Sequence, residues 1–155
     1  MNNFLEKILH ILSKLNIAPV IYGSFGASLY LGNFKEFGDI DILIEDNYIS
    51  NDWEEFKKTL EVDGFTLINE KEHEFAFNGK QVGFAGKSIL IRDGIIKDYK
   101  ELVRYKDKNA HTLTPADFLR AYEFSFKDGY RVNNRAKNDH DIILKLKDYI
   151  AANGK

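Results

Sequence analysis

The amino-acid sequence predicts an α+β fold, a small mixed β-sheet with helices packed mainly on one face. Three stretches carry that expectation. Residues 4–15 repeat apolar side chains at helical spacing. Residues 21–45 read as strand, sharp turn, helix, loop and strand, and residues 73–84 as two alternating segments joined by Asn78-Gly79. With 155 residues, 44% of them hydrophobic, the chain can bury one sizeable core. No Pro/Ser/Gly-rich linker, low-complexity run or repeat divides it. One domain over residues 1–155 is expected, with its core at about 17–92 and C-terminal helices at about 114–152.

The first helix carries a stripe of Phe4, Ile8, Leu12 and Leu15 with Leu5 and Leu9 beside it, and His10 falls off that stripe. Residues 16–19 turn the chain into a strand that ends Val20-Ile21-Tyr22. Gly23-Ser24 break it, Phe25 to Leu31 carry a helical apolar pattern, and Gly32 ends the helix. Residues 33–38 form a loop into a second strand, Asp39-Ile40-Asp41-Ile42-Leu43-Ile44. Ser50 or Asn51 is expected to cap a helix whose Trp53, Phe56 and Leu60 face inward, followed by a short strand over 65–68. Asn78-Gly79 between alternating segments signals a hairpin. Its two-residue turn sets Phe75 opposite Val82 and Glu74 opposite Gly83. Phe75, Phe77, Val82 and Phe84 then share the packed face, and Glu74, Ala76 and Gln81 the other. Residues 88–92 read as a strand closed by an Asp93-Gly94 turn, and residues 99–105 as a short helix. Thr114-Pro115-Ala116-Asp117 is a helix start, with Phe118, Leu119, Tyr122 and Phe126 facing inward. After a link over 130–133, a last helix runs from about 134 to 152, its buried stripe formed by Ile142, Leu146, Tyr149 and Ile150.

Asp39 and Asp41 are two apart on a strand, so they point the same way, about 7 Å apart. Paired carboxylates repel unless a cation sits between them or water separates them. Mg²⁺ is the natural cation, being hard, oxygen-liganded and able to bridge carboxylates to phosphates. Gly23-Ser24 opens a helix with a turn free of bulky side chains, which exposes backbone N–H groups to an anion such as a phosphate. A phosphate seat joined to an aspartate pair by one helix and a loop suggests a site for a nucleoside triphosphate. The plainer alternative makes Ser24 a helix cap and the aspartates a solvated strand face.

Gly23-Ser24 followed by Asp39-Ile40-Asp41 resembles the nucleotidyltransferase superfamily, whose signature is a Gly-Ser or Gly-Gly turn and a DxD strand. The long gap and the Leu31-Gly32 before the loop are similar to the small lincosamide and aminoglycoside nucleotidyltransferases and to toxin-type relatives. The resemblance covers residues 18–45 well and the remainder weakly. It implies the DNA polymerase beta-like nucleotidyltransferase fold, and Mg²⁺-dependent transfer of a nucleoside monophosphate from an NTP to an acceptor hydroxyl. Gly23 and Ser24 would cradle the outer phosphates, and Asp39 and Asp41 would hold Mg²⁺. Active members carry a third carboxylate on a neighbouring strand, and the usual pattern would put it near Gly83, which has no side chain. Either Glu74, its cross-strand neighbour, supplies that acid and takes the acceptor's proton, or the site is incomplete. Lys35 could reach a phosphate or simply be solvated. The run from Arg135 to Ile142 resembles an R-x-K-D-x-x-D-I pattern on a late helix, with Asn138 in place of the first Asp. It implies that Arg135 or Lys137 holds nucleotide or fixes the helix near the site. Arg135 and Asp139, four apart, can equally form a structural pair.

A net charge of −2 gives no basic footprint for bulk nucleic acid, although a short RNA end could still be a substrate. The chain has no cysteine, which fits a cytoplasmic protein and excludes thiolate metal sites. Glu6, Lys7, His10 and Lys14 interrupt the N-terminal helix, so neither a signal peptide nor a membrane span is expected. No zinc-ligand spacing or Ser/His/Asp arrangement is readable. Two function classes follow. One is the nucleotidyltransferase, its acceptor a small molecule, a protein or an RNA end. The other is a catalytically degenerate domain that binds nucleotide or a protein partner, as in a toxin–antitoxin pair; Gly83 and Asn138 favour it, while the Gly-Ser and DxD elements oppose it.

Overall fold

Strand Asp39–Ile44 sets the architecture, because its alternate residues serve two different cores. The computed structural model describes residues 2–32, 39–106, 108–127 and 134–153, without the side chains of residues 2, 126–127 and 134–138. In chain order the elements are α1 (Asn2–Lys14), β1 (Val20–Tyr22), α2 (Gly23–Leu31), β2 (Asp39–Ile44), α3 (Trp53–Val62), β3 (Thr66–Asn69) and β4 (Glu74–Phe77). There follow β5 (Lys80–Gly86), α4 (Ile89–Arg92), β6 (Val103–Arg104), β7 (His111–Thr112), α5 (Pro115–Lys127) and α6 (Asn134–Asn153). The strands form one mixed sheet in the order β3-β4-β5-β2-β1-β7-β6. β2 runs parallel to β5 and β1 parallel to β7, and the remaining pairs are antiparallel. This is the expected α+β class.

Ile40, Ile42 and Ile44 point to one face of the sheet, where Ile21, Phe75, Val82 and Phe84 join them under α1 and α3. Leu43 and Val20 point to the other face and pack with Phe118 and Ala121 of α5 and Ile142 and Leu146 of α6. The helices therefore cover both faces, where mainly one-sided packing was expected. The cause is apolar surface on both sides of the central strands. Val20 and Leu43 are essentially fully buried, and an open face would forfeit about 1.5–3 kcal/mol for each such side chain.

The hairpin has the expected register, Phe75 opposite Val82 and Glu74 opposite Gly83. Helix α5 starts as its sequence requires, with the Asp117 N–H donating to Thr114 Oγ1 at 3.1 Å and Pro115 as its first residue. Three local expectations change. Asp52, not Ser50 or Asn51, precedes α3. Residues 88–92 turn into the short helix α4 instead of a strand. The Asp46 carboxylate accepts the Ser88 N–H at 3.2 Å, and the Arg92 N–H returns to the Ser88 carbonyl at 3.0 Å. Residues 99–105 are a single 3₁₀ turn, Tyr99–Glu101, followed by β6. Its Asp98–Glu101 capping box satisfies the turn on its own, and Leu102 then leaves it in an extended conformation. The side chain of Phe126 and the link over 130–133 lie outside the described residues. Among the described residues, no helix is long and apolar enough to cross a membrane.

Candidate active site

Register brings four residues into a row across four strands. Tyr22 on β1 pairs with Asp41 on β2, Asp41 with Gly83 on β5, and Gly83 with Glu74 on β4. Paired residues share a face, and all four line a cleft of about 530 Å³ above the sheet. The start of α2, the segment 72–74, α4 and the Phe124–Ser125 part of α5 wall it. A smaller recess of about 50 Å³ beneath Phe118 and Tyr122 shares Tyr22, Gly23 and Ser125 with it.

Asp41 is clasped from two sides. Gly23 opens α2 with φ +65°, and the Asp41 carboxylate occupies the place a side chain at Gly23 would take, its Cγ 3.0 Å from that Cβ position. Only glycine satisfies both the backbone angle and the space. On the other side, a Cβ on Gly83 would lie 3.6 Å from Asp41 Oδ1 and 3.5 Å from Glu74 Cγ. Glu74 and Asp41 thus both stand at van der Waals distance from the position a side chain at 83 would start from.

The turn before Glu74 is held from behind. His73 has φ +54°, and its ring meets Trp53 edge-on at 4.6 Å. Trp53 Nε1–H donates to Glu70 Oε2 at 2.9 Å, and Lys57 reaches the same carboxylate at 3.3 Å. The Trp53 hydrogen bond, followed by that of Lys57, holds the Glu70 carboxyl below its ordinary range.

The chain is 18% identical to the lincosamide antibiotic adenylyltransferase LnuA, whose crystal structure is lincomycin-bound, with a TM-score of 0.63 over 95% of this chain and 96% of that one. It is 11% identical to the antibiotic-resistance factor ANT(2'')-Ia, with a TM-score of 0.60 over 97% of this chain and 89% of that one. The fold is a nucleotidyltransferase fold. No family model matches the sequence. Over 130 residues, 83% of this chain and 81% of the relative, it is 35% identical to the uncharacterized protein YnaI of Bacillus subtilis (strain 168). The chain belongs to the YnaI family.

In this YnaI-family chain, the cleft brings together Gly23, Asp41 and Glu74 of the residues singled out in the sequence. Asp39 shares the sheet face of Asp41 and both are exposed, but Asp39, at the start of β2, lies outside the cleft lining. Ser24 is half-buried in the first turn of α2, also outside that lining. Lys35 lies outside the described residues, and Arg135, Lys137 and Asn138 fall on α6 with their side chains outside the description. Asp139 is buried and His140 exposed. Among the lining residues that sequence reasoning missed are Tyr22, Glu72, His73, Arg92, Asp93 and Phe124. Only the charged run Glu72-His73-Glu74 carried a local signal; the others reach the cleft by tertiary packing alone.

Proposed function

We propose that this YnaI-family chain is a Mg²⁺-dependent nucleotidyltransferase that moves a nucleoside monophosphate from an NTP to an acceptor hydroxyl. The observation that carries the reading is the placement of Asp41, on the cleft floor between the Gly23 opening of α2 and the side chain of Glu74. The N–H groups that begin α2, with Ser24, receive the outer phosphates. Asp39 and Asp41 offer Mg²⁺ two carboxylates on one strand face, which suits an ion usually held by one or two carboxylates and completed by substrate phosphates. No group of three metal-ligating side chains gathers among the described residues; Asp39 and Asp41 are the residues that would hold the ion. When bound there, Mg²⁺ would supply charge neutralisation at the phosphates. Glu74 accepts the proton of the acceptor hydroxyl, and most of the remaining catalysis is positioning and electrostatics. Lys35, from its place in the loop before β2, and Arg135 or Lys137, on the resemblance, are assigned as nucleotide contacts. The acceptor is a small molecule, a protein or an RNA end, met in the cytoplasm.

Calorimetric titration of ATP, CTP, GTP and UTP, with and without Mg²⁺, tests this on the wild type and Asp41→Asn. Micromolar binding that requires Mg²⁺ and disappears in the variant is expected. Equal binding by Asp41→Asn would sink the assignment. A second reading, a degenerate domain that binds a protein partner, is favoured by Gly83, which puts no acid beside Asp41 on β5. It predicts that no NTP binds the wild type.

A further inference from the structure

The cleft is acidic, and a nucleoside triphosphate is an anion. Among the described residues lining it, Asp41, Glu72, Glu74 and Asp93 are acids, His73 is titratable, and Arg92 is the one cation of fixed charge. A metal ion beside Asp41 offsets repulsion at one place only, and a phosphate chain that extends along the cleft meets further carboxylates. Helix α4 places a cation at the cleft. It follows β5 after two residues, sinks Leu90 completely into the second core and leaves Ile89, Arg92 and Asp93 on the cleft side. Arg92 Nε lies 3.2 Å from Asp93 Oδ1. That contact engages one edge of the guanidinium and leaves its two Nη groups outside the pair. The Arg92 side chain is 70% exposed against 22% for Asp93, so a ligand replaces water there without breaking a buried ion pair. A planar guanidinium steadied at one edge suits two parallel hydrogen bonds to phosphate oxygens.

We propose that Arg92 binds the phosphate chain of the donor nucleotide, with Asp93 as the positioning residue that orients it. This rests on the nucleotidyl-transfer reading and adds a residue that neither the Gly-Ser turn nor the aspartate pair indicates. The test is calorimetric titration with Mg²⁺–NTP and with the corresponding NMP, on the wild type, Arg92→Gln, Arg92→Lys and Arg104→Gln. Arg104 is an exposed cation on β6 outside the cleft lining and controls for net charge. Arg92→Gln is expected to weaken NTP binding about ten- to hundred-fold. NMP binding should change much less, Arg92→Lys should recover part of the loss, and Arg104→Gln should match the wild type. Arg92→Gln with wild-type NTP affinity, or an equal loss in Arg104→Gln, overturns the inference and leaves nucleotidyl transfer standing. Failure of the wild type to bind any NTP overturns both. Arg92 is exposed, so equal melting temperatures of wild type and variant will confirm that folding is unaffected.

Discussion

Gly23 answers to two constraints at once, and each has a separate cost if broken. An alanine there meets a backbone at φ +65° and the Asp41 carboxylate in the space its methyl group needs. Gly23→Ala should destabilise the fold by about 1–3 kcal/mol in urea denaturation and also abolish Mg²⁺–NTP binding. Unchanged stability would mean that the close approach of Asp41 to Gly23 is wrong. The placement of Gly23 and Asp41 side by side was legible in the sequence because each rests on local geometry, a turn that needs glycine and a strand period of two; Asp39 shares that strand face but lies outside the cleft lining. Arg92 was not, since nothing within a few residues distinguishes it from any solvated arginine.

The β4–β5 hairpin decides at the level of elements whether an acid stands beside Asp41. Its register follows from the Asn78-Gly79 turn, which is why the Glu74–Gly83 pairing could be read before the structure. If Glu74 is the proton acceptor, Glu74→Gln should retain NTP binding and lose about 10²–10⁴-fold in transfer rate. Adding Gly83→Glu to that variant should restore part of the rate, because both side chains project over the same point. A double variant as slow as Glu74→Gln, assayed by pyrophosphate release, would argue against this shared placement. Helix α4 is the counter-example for legibility. Its four residues are too few for periodicity to separate helix from strand, and the hydrogen bond that turns them comes from Asp46, forty-two residues upstream of Ser88.

Across the whole molecule, two hydrophobic cores share one sheet, and the one-domain reading makes them one cooperative unit. Leu12 lies in the core under α1 and Leu146 in the core under α6, both fully buried. Leu12→Ala and Leu146→Ala should each cost about 2–5 kcal/mol and shift the same single denaturation transition. Two resolved transitions, one sensitive to each variant, would show two independent units. The sequence carried the apolar stripes of both cores but not their distribution over two faces, because a stripe says that a helix is covered and not by what. The cleft walls are a property of that same assembly. Phe124 and Ser125 reach the cleft only because α5 crosses near the end of β1, a long-range arrangement with no local trace.

Strand β2 is hydrogen-bonded along both edges and packed on both faces. Segments bounded in this way open last and least. Asp41 therefore rides on one of the stiffest parts of the chain, and its clasp by Gly23 was assembled when the protein folded. A ligand that meets it has little local disorder to remove, so the entropic cost of arranging this receptor group was met before binding begins.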